Sequence, residues 1–441
     1  MKISEDAEKL INILSDNGCK AYAVGGCVRD YLLGKPEKDI DITTSAKPET
    51  VEEILKQNNI KVIETGLQHG TVTAVLNGEN YEITTFRKDG EYKDNRRPES
   101  VSFVDDVKED LSRRDFTINA IAYNHKEGIV DLFGGKKDID NKVIRAVGNA
   151  DLRFKEDALR IMRALRFSAT LCFDIEESTK KAIFDNMYLL DNIAKERIFT
   201  ELKKLLAGDN ALQVLDAYKE VIGVVIPELK PAFDCVQNNP WHIYNVYDHI
   251  IHAVDAAPKD EIIRLTMLLH DIGKPSVKTT DEKGIDHFKF HAPVGADIAK
   301  KVLKRFKVSN EVYDKVTTLI RYHQCVENVD DIRVKRWLAK IGADYTKALF
   351  KVRISDLYAH NPAKIGYELK KLNELLIELD EIVAAGEAFK ISDLAVNGND
   401  LIALGYKGKE IGEKLNEILM LVVDDRLNNM KEDIVDYLNR K

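Results

Sequence analysis

The feature that most limits what this chain can fold into lies between Ala21 and Ile42. Ala21-Tyr22-Ala23-Val24 reads as a buried strand that stops at Gly25-Gly26, and Cys27-Val28-Arg29-Asp30 continues as a short helix-like run. Lys38-Asp39-Ile40-Asp41-Ile42 then alternates as a strand does. Glycine lets backbone N–H groups approach an anion with no Cβ in the way, and the helix N-terminus that follows favours negative charge. Arg29, expected in the first turn of that helix, is within reach of a triphosphate. Asp39 and Asp41 are two apart in an extended segment, so both carboxylates leave the same face. Side by side they repel unless a hard cation sits between them, and Mg2+ takes such oxygens together with substrate phosphates. A phosphate cradle joined to a carboxylate pair points to phosphoryl or nucleotidyl transfer.

Composition narrows the setting. The 441 residues suffice for several separate cores. No apolar run approaches the ~20 residues of a membrane span. Acidic residues in Met1-Lys2-Ile3-Ser4-Glu5-Asp6 interrupt any signal peptide before an apolar core forms. The cysteines, Cys19, Cys27, Cys172, Cys235 and Cys325, are scattered and odd in number, without a Cys-x-x-Cys pair. That argues for reduced thiols in a cytoplasm and against a structural zinc site. A net charge of −8 looks wrong for a nucleic-acid partner. Phosphates, however, are contacted by local patches, and basic side chains bunch at Arg96-Arg97, Arg113-Arg114 and Arg153–Arg166.

Residues 1–148 mix helices with strand-like stretches at Ala21–Val24, Ile40–Thr43, Val72–Leu76, Tyr81–Phe86 and Val143–Ala146. From Asp151 the strand signals largely vanish, and Leu159, Met162, Leu165 and Phe167 begin helical periodicities that run to the C-terminus. Pro227, Pro231 and Pro240 punctuate a boundary near 230–240, and a second falls near Ala385–Ser392. The expected organisation is a mixed head over 1–148, a helical neck over 149–235, a helical body over 236–385 and a helical tail over 386–441.

Two further blocks carry chemistry. In Leu111-Ser112-Arg113-Arg114-Asp115-Phe116-Thr117-Ile118-Asn119-Ala120, read as Arg-Arg-Asp ahead of an amphipathic helix, Arg114 supplies a planar, permanently charged fork for phosphate oxygens. Asp115 and Asn119 are placed to brace a ribose or the local backbone. In Glu156-Asp157-Ala158-Leu159-Arg160-Ile161-Met162-Arg163-Ala164-Leu165-Arg166, Asp157, Arg160 and Arg163 are three apart and drift around one helix face, with Arg166 a turn further. A carboxylate and a guanidinium side by side match the donor and acceptor edge of a nucleobase. Such a pair can select a base with no nucleic-acid template.

In this order and spacing the three blocks resemble the class II tRNA nucleotidyltransferase and bacterial poly(A) polymerase family, among the polymerase-β-like nucleotidyltransferases, over about the first 200 residues. The resemblance implies an α+β architecture: a polymerase-β-like head with a mixed sheet, then an all-helical body. It implies nucleotide binding at Gly26, Arg29 and Arg114, catalytic Mg2+ at Asp39 and Asp41, and a protein template for CTP and ATP at Asp157, Arg160, Arg163 and Arg166. Glu82 is a candidate third metal carboxylate. The polar loop Asp89–Pro98 follows a strand where, in this family, a loop is associated with switching from C to A addition. Its presence favours full CCA addition over CC alone.

In the helical half, Leu268-Leu269-His270-Asp271-Ile272-Gly273-Lys274-Pro275 ends an apolar helix with His-Asp. His249 lies upstream, and His291, His323 and Asp356 lie downstream. Imidazoles with carboxylates suit a divalent transition metal. The pattern resembles the HD phosphohydrolase superfamily, which implies metal binding by His249, His270, Asp271 and Asp356. His291 and His323 are what a second metal requires, yet the second position departs from the His-His of two-metal members, which speaks against a dinuclear centre. His252 and His287 read as ordinary structural histidines. The tail, Leu394–Leu401 through Gly405–Gly412, resembles that of the same nucleotidyltransferases, with Gly408 and Lys409 at a helix start suited to an RNA phosphate.

The expectation is thus a cytoplasmic, template-independent nucleotidyltransferase that rebuilds tRNA 3′-CCA ends from CTP and ATP, with no membrane and no obligate protein partner. An HD domain in its body would bring phosphodiesterase or phosphatase activity. The alternatives are a poly(A) polymerase, an enzyme adding only the terminal A, an HD phosphohydrolase whose head merely binds RNA, and a non-catalytic RNA-binding module.

Overall fold

Val24 pairs with Asp41 in the middle of a seven-stranded mixed sheet, so the glycine turn and the second aspartate are neighbours from the start. The computed structural model describes residues 3–36, 39–63, 70–90, 100–326, 328–331 and 333–440. Its first nine strands are β1 (Ala21–Val24), β2 (Asp41–Thr44), β3 (Lys61–Ile63), β4 (Thr71–Leu76), β5 (Glu79–Thr85), β6 (Arg87–Asp89), β7 (Val101–Phe103), β8 (Ile121–Asn124) and β9 (Gly128–Asp131), and a short parallel pair follows at Val143–Ile144 and Asp174–Ile175. The sheet order is β3-β4-β5-β2-β1-β8-β9, with β2 and β5 parallel and the other neighbours antiparallel. β6 and β7 form a separate pair.

The sequence expectation misread the segment after Arg114. Instead of an amphipathic helix, a 3-10 turn at Thr117–Asn119 leads directly into β8, whose four residues are all buried. A strand covered on both faces reads as a continuous apolar run, which a short stretch does not distinguish from a buried helix. The β8–β9 hairpin was missed for the same reason. A second correction concerns Asp157. It is not on the helix that carries the arginines but caps the end of the helix Ala150–Glu156, in an extended conformation, and the next helix begins at Leu159. There is no four-residue ladder on one helix face.

Contacts divide the chain into two units, Met1–Val225 and Ile226–Lys441. The second is helical, apart from a two-stranded ribbon at Thr279–Thr280 and Asp286–His287. Its centre packs Val246–Ala256, Glu261–Leu269, Asn310–Tyr322 and Ala343–Tyr358 through residues such as Ile250, Leu268, Leu319 and Phe350. Asn245 and Asp260 cap the first two of these by accepting backbone N–H groups of their first turns. At the C-terminus, Leu401, Ile418, Leu419 and Ile434 form a small core of their own.

Candidate active site and metal centre

Gly25 has φ +80°, and a Cβ there would lie 3.1 Å from Nη1 of Arg114. Glycine is therefore required twice, by the backbone and by the arginine that closes over it. Asp39, Asp41 and Glu82 are all exposed. Around Asp41, partial desolvation and the charges of Glu82 and Asp39 raise the carboxyl above its ordinary pKa, while Arg114 opposes them. A carboxylate crowded by two others fits a hard cation, so the donor set suits Mg2+.

Behind this surface, Asp110 is wholly buried. Its Oδ1 accepts two bonds from Arg113, at 3.0 and 2.7 Å; its Oδ2 accepts from Arg114 at 3.4 Å and from the Thr43 hydroxyl at 3.2 Å. Burial alone would raise Asp110; Arg113 and Arg114 hold it below the ordinary range. Thr43 is two residues past Asp41 on β2, so one carboxylate links the metal-side strand to the arginine pair.

A second network joins all three sequence blocks. Arg29 donates to the Asn119 side-chain oxygen at 2.7 Å, Asn119 donates to Asp115 at 3.1 Å, and Arg163 donates to Asp115 at 2.7 Å. Arg29, Arg163 and Arg166 all lie against the Phe167 ring, at 5.1, 5.5 and 3.9 Å from its centroid. Arg166 also pairs with Glu201 at 2.9 Å. Arg29 is buried and stands one turn into its helix, its N–H on the Gly25 carbonyl, with its guanidinium committed to Asp30 and Asn119. Arg160 is buried too, donating to Glu156 at 2.9 Å and to the carbonyls of Arg113 and Arg153 at 2.9 and 3.4 Å. Asp157 accepts the Leu159 N–H at 3.1 Å and faces Arg197 at 3.4 Å. Asp110 and Glu201 escaped the sequence reading, because an acidic residue near arginines carries no signal until the fold shows which one is buried.

In the other unit, Asp271 is buried between two groups of histidines. Its Oδ2 lies 3.3 Å from Nε2 of both His249 and His270, and its Oδ1 lies 3.3 Å from His291 and 3.8 Å from His323. Asp356 approaches His249 at 2.9 Å and His270 at 3.5 Å. Lys274 reaches Asp271 Oδ2 at 2.6 Å. Both His249/His270/Asp271 and Asp271/His291/His323 bring their ligand atoms close enough together to hold an ion. The missing His-His pair is supplied by two helices: His291 opens His291–Phe306 and His323 follows Tyr322. Gly273 permits this, since a Cβ there would collide with the His291 carbonyl. Desolvation lowers His323 to about 3 and lowers His291, leaving neutral imidazoles ready to ligate. Burial also disfavours charge on His270, but Asp271 and Asp356 overcome it and push its pKa up to about 10. A buried carboxylate pair that holds a histidine protonated is one that a cation can occupy instead. His252 stacks on Tyr244 at 4.0 Å and His287 pairs with Asp281 at 2.9 Å, both outside the cluster.

Of the sequence-stretch candidates, Lys38, Arg96 and Arg97 lie outside the described residues, as does the loop Asp89–Pro98 beyond Gly90.

Comparison with known proteins matches this layout. A family model described as the poly A polymerase head domain matches residues 21–145, and one described as a probable RNA and SrmB-binding site of polymerase A matches 172–232. A third, described as a putative tRNA nucleotidyltransferase domain 2, matches 279–438. Together with the carboxylates beside the glycine turn, they define a nucleotidyltransferase with a poly(A)-polymerase-type head. A CCA-adding enzyme of Lactobacillus delbrueckii subsp. bulgaricus is 35% identical over 438 residues, 99% of this chain and 98% of its own. One from Bacillus pumilus is 34% identical over 443 residues, covering 97% and 95%. Among solved structures, the Bacillus stearothermophilus CCA-adding enzyme in complex with CTP superposes with a TM-score of 0.78 at 31% identity, over 100% of this chain and 98% of that one. The chain belongs to the CCA-adding enzyme family.

Proposed function

We propose that this chain rebuilds the 3′-CCA end of tRNA from CTP and ATP, with amino-acid side chains in place of a nucleic-acid template. The observation that carries the reading is the bonded series Arg29–Asn119–Asp115–Arg163, which couples the phosphate-side turn to the helix that follows Asp157 and bears Arg160. Full-length similarity to CCA-adding enzymes, one solved with CTP, supports this product over a poly(A) tail or a lone A.

Asp39 and Asp41, with Glu82 alongside, would hold Mg2+, which supplies charge neutralisation for the triphosphate and acidifies the attacking 3′-hydroxyl. The turn at Gly25 and Gly26 admits phosphate to the backbone, and Arg114 adds fixed positive charge. Arg29 is a positioning residue that holds Asn119. Asp157 offers a carboxylate oxygen, and Arg160, already clamped by Glu156, presents its remaining N–H donors in a fixed plane, so base choice comes from rigidity. Arg163 and Arg166 keep that helix in register with Asp115 and Phe167. Alignment of the 3′-hydroxyl with the α-phosphate supplies most of the acceleration. The test is incorporation of labelled CTP and ATP into tRNA lacking CCA: wild type incorporates both, and Asp41→Ala incorporates neither. Incorporation by Asp41→Ala contradicts the assignment.

A second activity is supported by Asp271, whose two oxygens face different histidine pairs. His249, His270, Asp271 and Asp356 would hold one divalent transition metal, and Asp271, His291 and His323 a second; bound there, they supply an acidified water for phosphoester hydrolysis. Loss of Mn2+- or Ni2+-dependent hydrolysis of bis(p-nitrophenyl) phosphate in His270→Ala tests it, and unchanged hydrolysis contradicts it.

A further inference from the structure

Arg160 owes its fixed plane to Glu156 and to the carbonyls of Arg113 and Arg153, but nothing in that set holds Asp157. Asp157 stands in the break between two helices, extended at φ −134° and ψ 101°. A side chain on such a link has rotamers to choose between, and an acceptor free to swing must be ordered each time a base arrives. One oxygen, Oδ1, accepts the Leu159 N–H at 3.1 Å. The other, Oδ2, is left for a cation. The arginines of the next helix are engaged elsewhere: Arg160 by Glu156, Arg163 by Asp115 and Arg166 by Glu201. Arg197, 40 residues away in sequence, donates to Oδ2 from Nη2 at 3.4 Å.

Arg197 is poorly placed for the helix that carries it. It lies in the first turn of Lys195–Leu206, whose N-cap residue, Ala194, makes no side-chain cap bond. The positive end of the helix dipole disfavours a cation there. Its side chain is 34% exposed, so its pairing with Asp157 contributes little to stability. What the pairing does is aim a carboxylate. One turn further along the same helix, Glu201 engages Arg166, so this helix grips the base-reading segment before and after Arg160.

The bases to be added share one feature. Cytosine and adenine present an exocyclic amino group where uracil and guanine present a carbonyl oxygen. A carboxylate accepts from the amino group and repels the carbonyl. That discrimination lasts only while the carboxylate stays where the base arrives. Turned away, it leaves room for a water, which donates to a carbonyl as readily as it accepts from an amine.

We infer that Arg197 is a positioning residue for base choice: it holds Asp157 so that amino-bearing bases are taken and carbonyl-bearing ones refused. The inference rests on the reading of Asp157 as the carboxylate that meets the base.

The test compares kcat/KM for CTP against UTP on tRNA lacking CCA, and for ATP against GTP on tRNA ending in CC. Each preference is a ratio within one protein, so a loss of folded enzyme cancels. In Arg197→Ala both preferences fall about tenfold or more, as expected for one charge-assisted hydrogen bond. Arg197→Gln, uncharged but of comparable reach, moves them the same way, which keeps the test open if the alanine variant does not fold. In Asp157→Ala the preferences also fall, and adding Arg197→Ala lowers them no further, because Arg197 acts through that carboxylate. Unchanged preferences in Arg197→Ala beside lowered ones in Asp157→Ala overturn the inference alone, even where all four rates drop together, as a merely structural role would have it. A further loss when Arg197→Ala is added to Asp157→Ala overturns it as well. Unchanged preferences in Asp157→Ala overturn the base-reading assignment and the inference with it.

Discussion

Asp115 and Arg163 stand 48 residues apart in sequence and meet at 2.7 Å, joining the loop after Arg114 to the helix that follows Asp157. Burial alone would raise the Asp115 carboxyl; the Arg163 charge, with hydrogen bonds from Asn119 and Arg163, outweighs it and sets the pKa at about 2. The folded value lies below the ordinary ~3.9, so this carboxylate stabilises the folded state above about pH 4, and the contribution, about 2–3 kcal/mol, fades as pH falls from about 4 toward 2. Removing the charge leaves Arg163, whose side chain is about a third exposed, to solvent, a loss of about 1–3 kcal/mol. Urea unfolding of the Met1–Val225 transition in Asp115→Asn checks both: a large deficit near neutral pH that narrows below about pH 3.

Gly25→Ala strains a backbone at φ +80° and pushes a methyl to 3.1 Å from Arg114. With ψ at −126° this is not the left-handed helical well but a sparsely populated region that costs a side-chain-bearing residue about 1–3 kcal/mol. The displaced arginine raises the KM for CTP and ATP further than that strain alone, because its charge faces the phosphates. Steady-state kinetics alongside thermal melting separates the two effects.

Asp110→Ala leaves Arg113 and Arg114 without the carboxylate that aims them and frees Thr43 beside the metal-side strand. Incorporation falls by about 10–100-fold, a loss of about 1.4–2.8 kcal/mol. Both CTP and ATP suffer equally, since this residue acts on phosphates. Asp157→Ala, by contrast, changes the ratio of C to A incorporated. Competition between the two triphosphates reads the difference.

The proposed metal centre divides by residue. His291→Ala removes one transition-metal ion per chain, whereas Asp271→Ala, which faces both histidine pairs, removes both. Because His270 is held protonated near neutral pH, metal binding releases a proton there, and affinity rises with pH up to about 10. Mass spectrometry on dialysed protein and calorimetry in buffers of different ionisation enthalpy check the counts and the proton.

The glycine turn and the aspartates were legible in sequence because their chemistry is local: a strand, a φ that glycine alone accepts, and carboxylates two apart. The arginines were legible as charges but not as partners. Asp157 and Arg160 read as neighbours on one helix face, and the helix break between them shows that spacing alone does not fix a face. The β8–β9 hairpin was hidden because Ile121–Asn124 is buried on both sides. In the second unit, His249, His270, Asp271, His291, His323 and Asp356 were all named from spacing, but that Asp271 lies between the two histidine pairs shows only in the helix packing allowed at Gly273.

The most direct measurement extends three tRNA substrates, ending before CCA, after C and after CC, with CTP and ATP separately and together, in Mg2+ at single-nucleotide resolution. The account predicts C then C from CTP, one A from ATP only after CC, and a stop. A long A tail on unrelated RNA, a lone A with no addition of C, or no extension at all contradicts it.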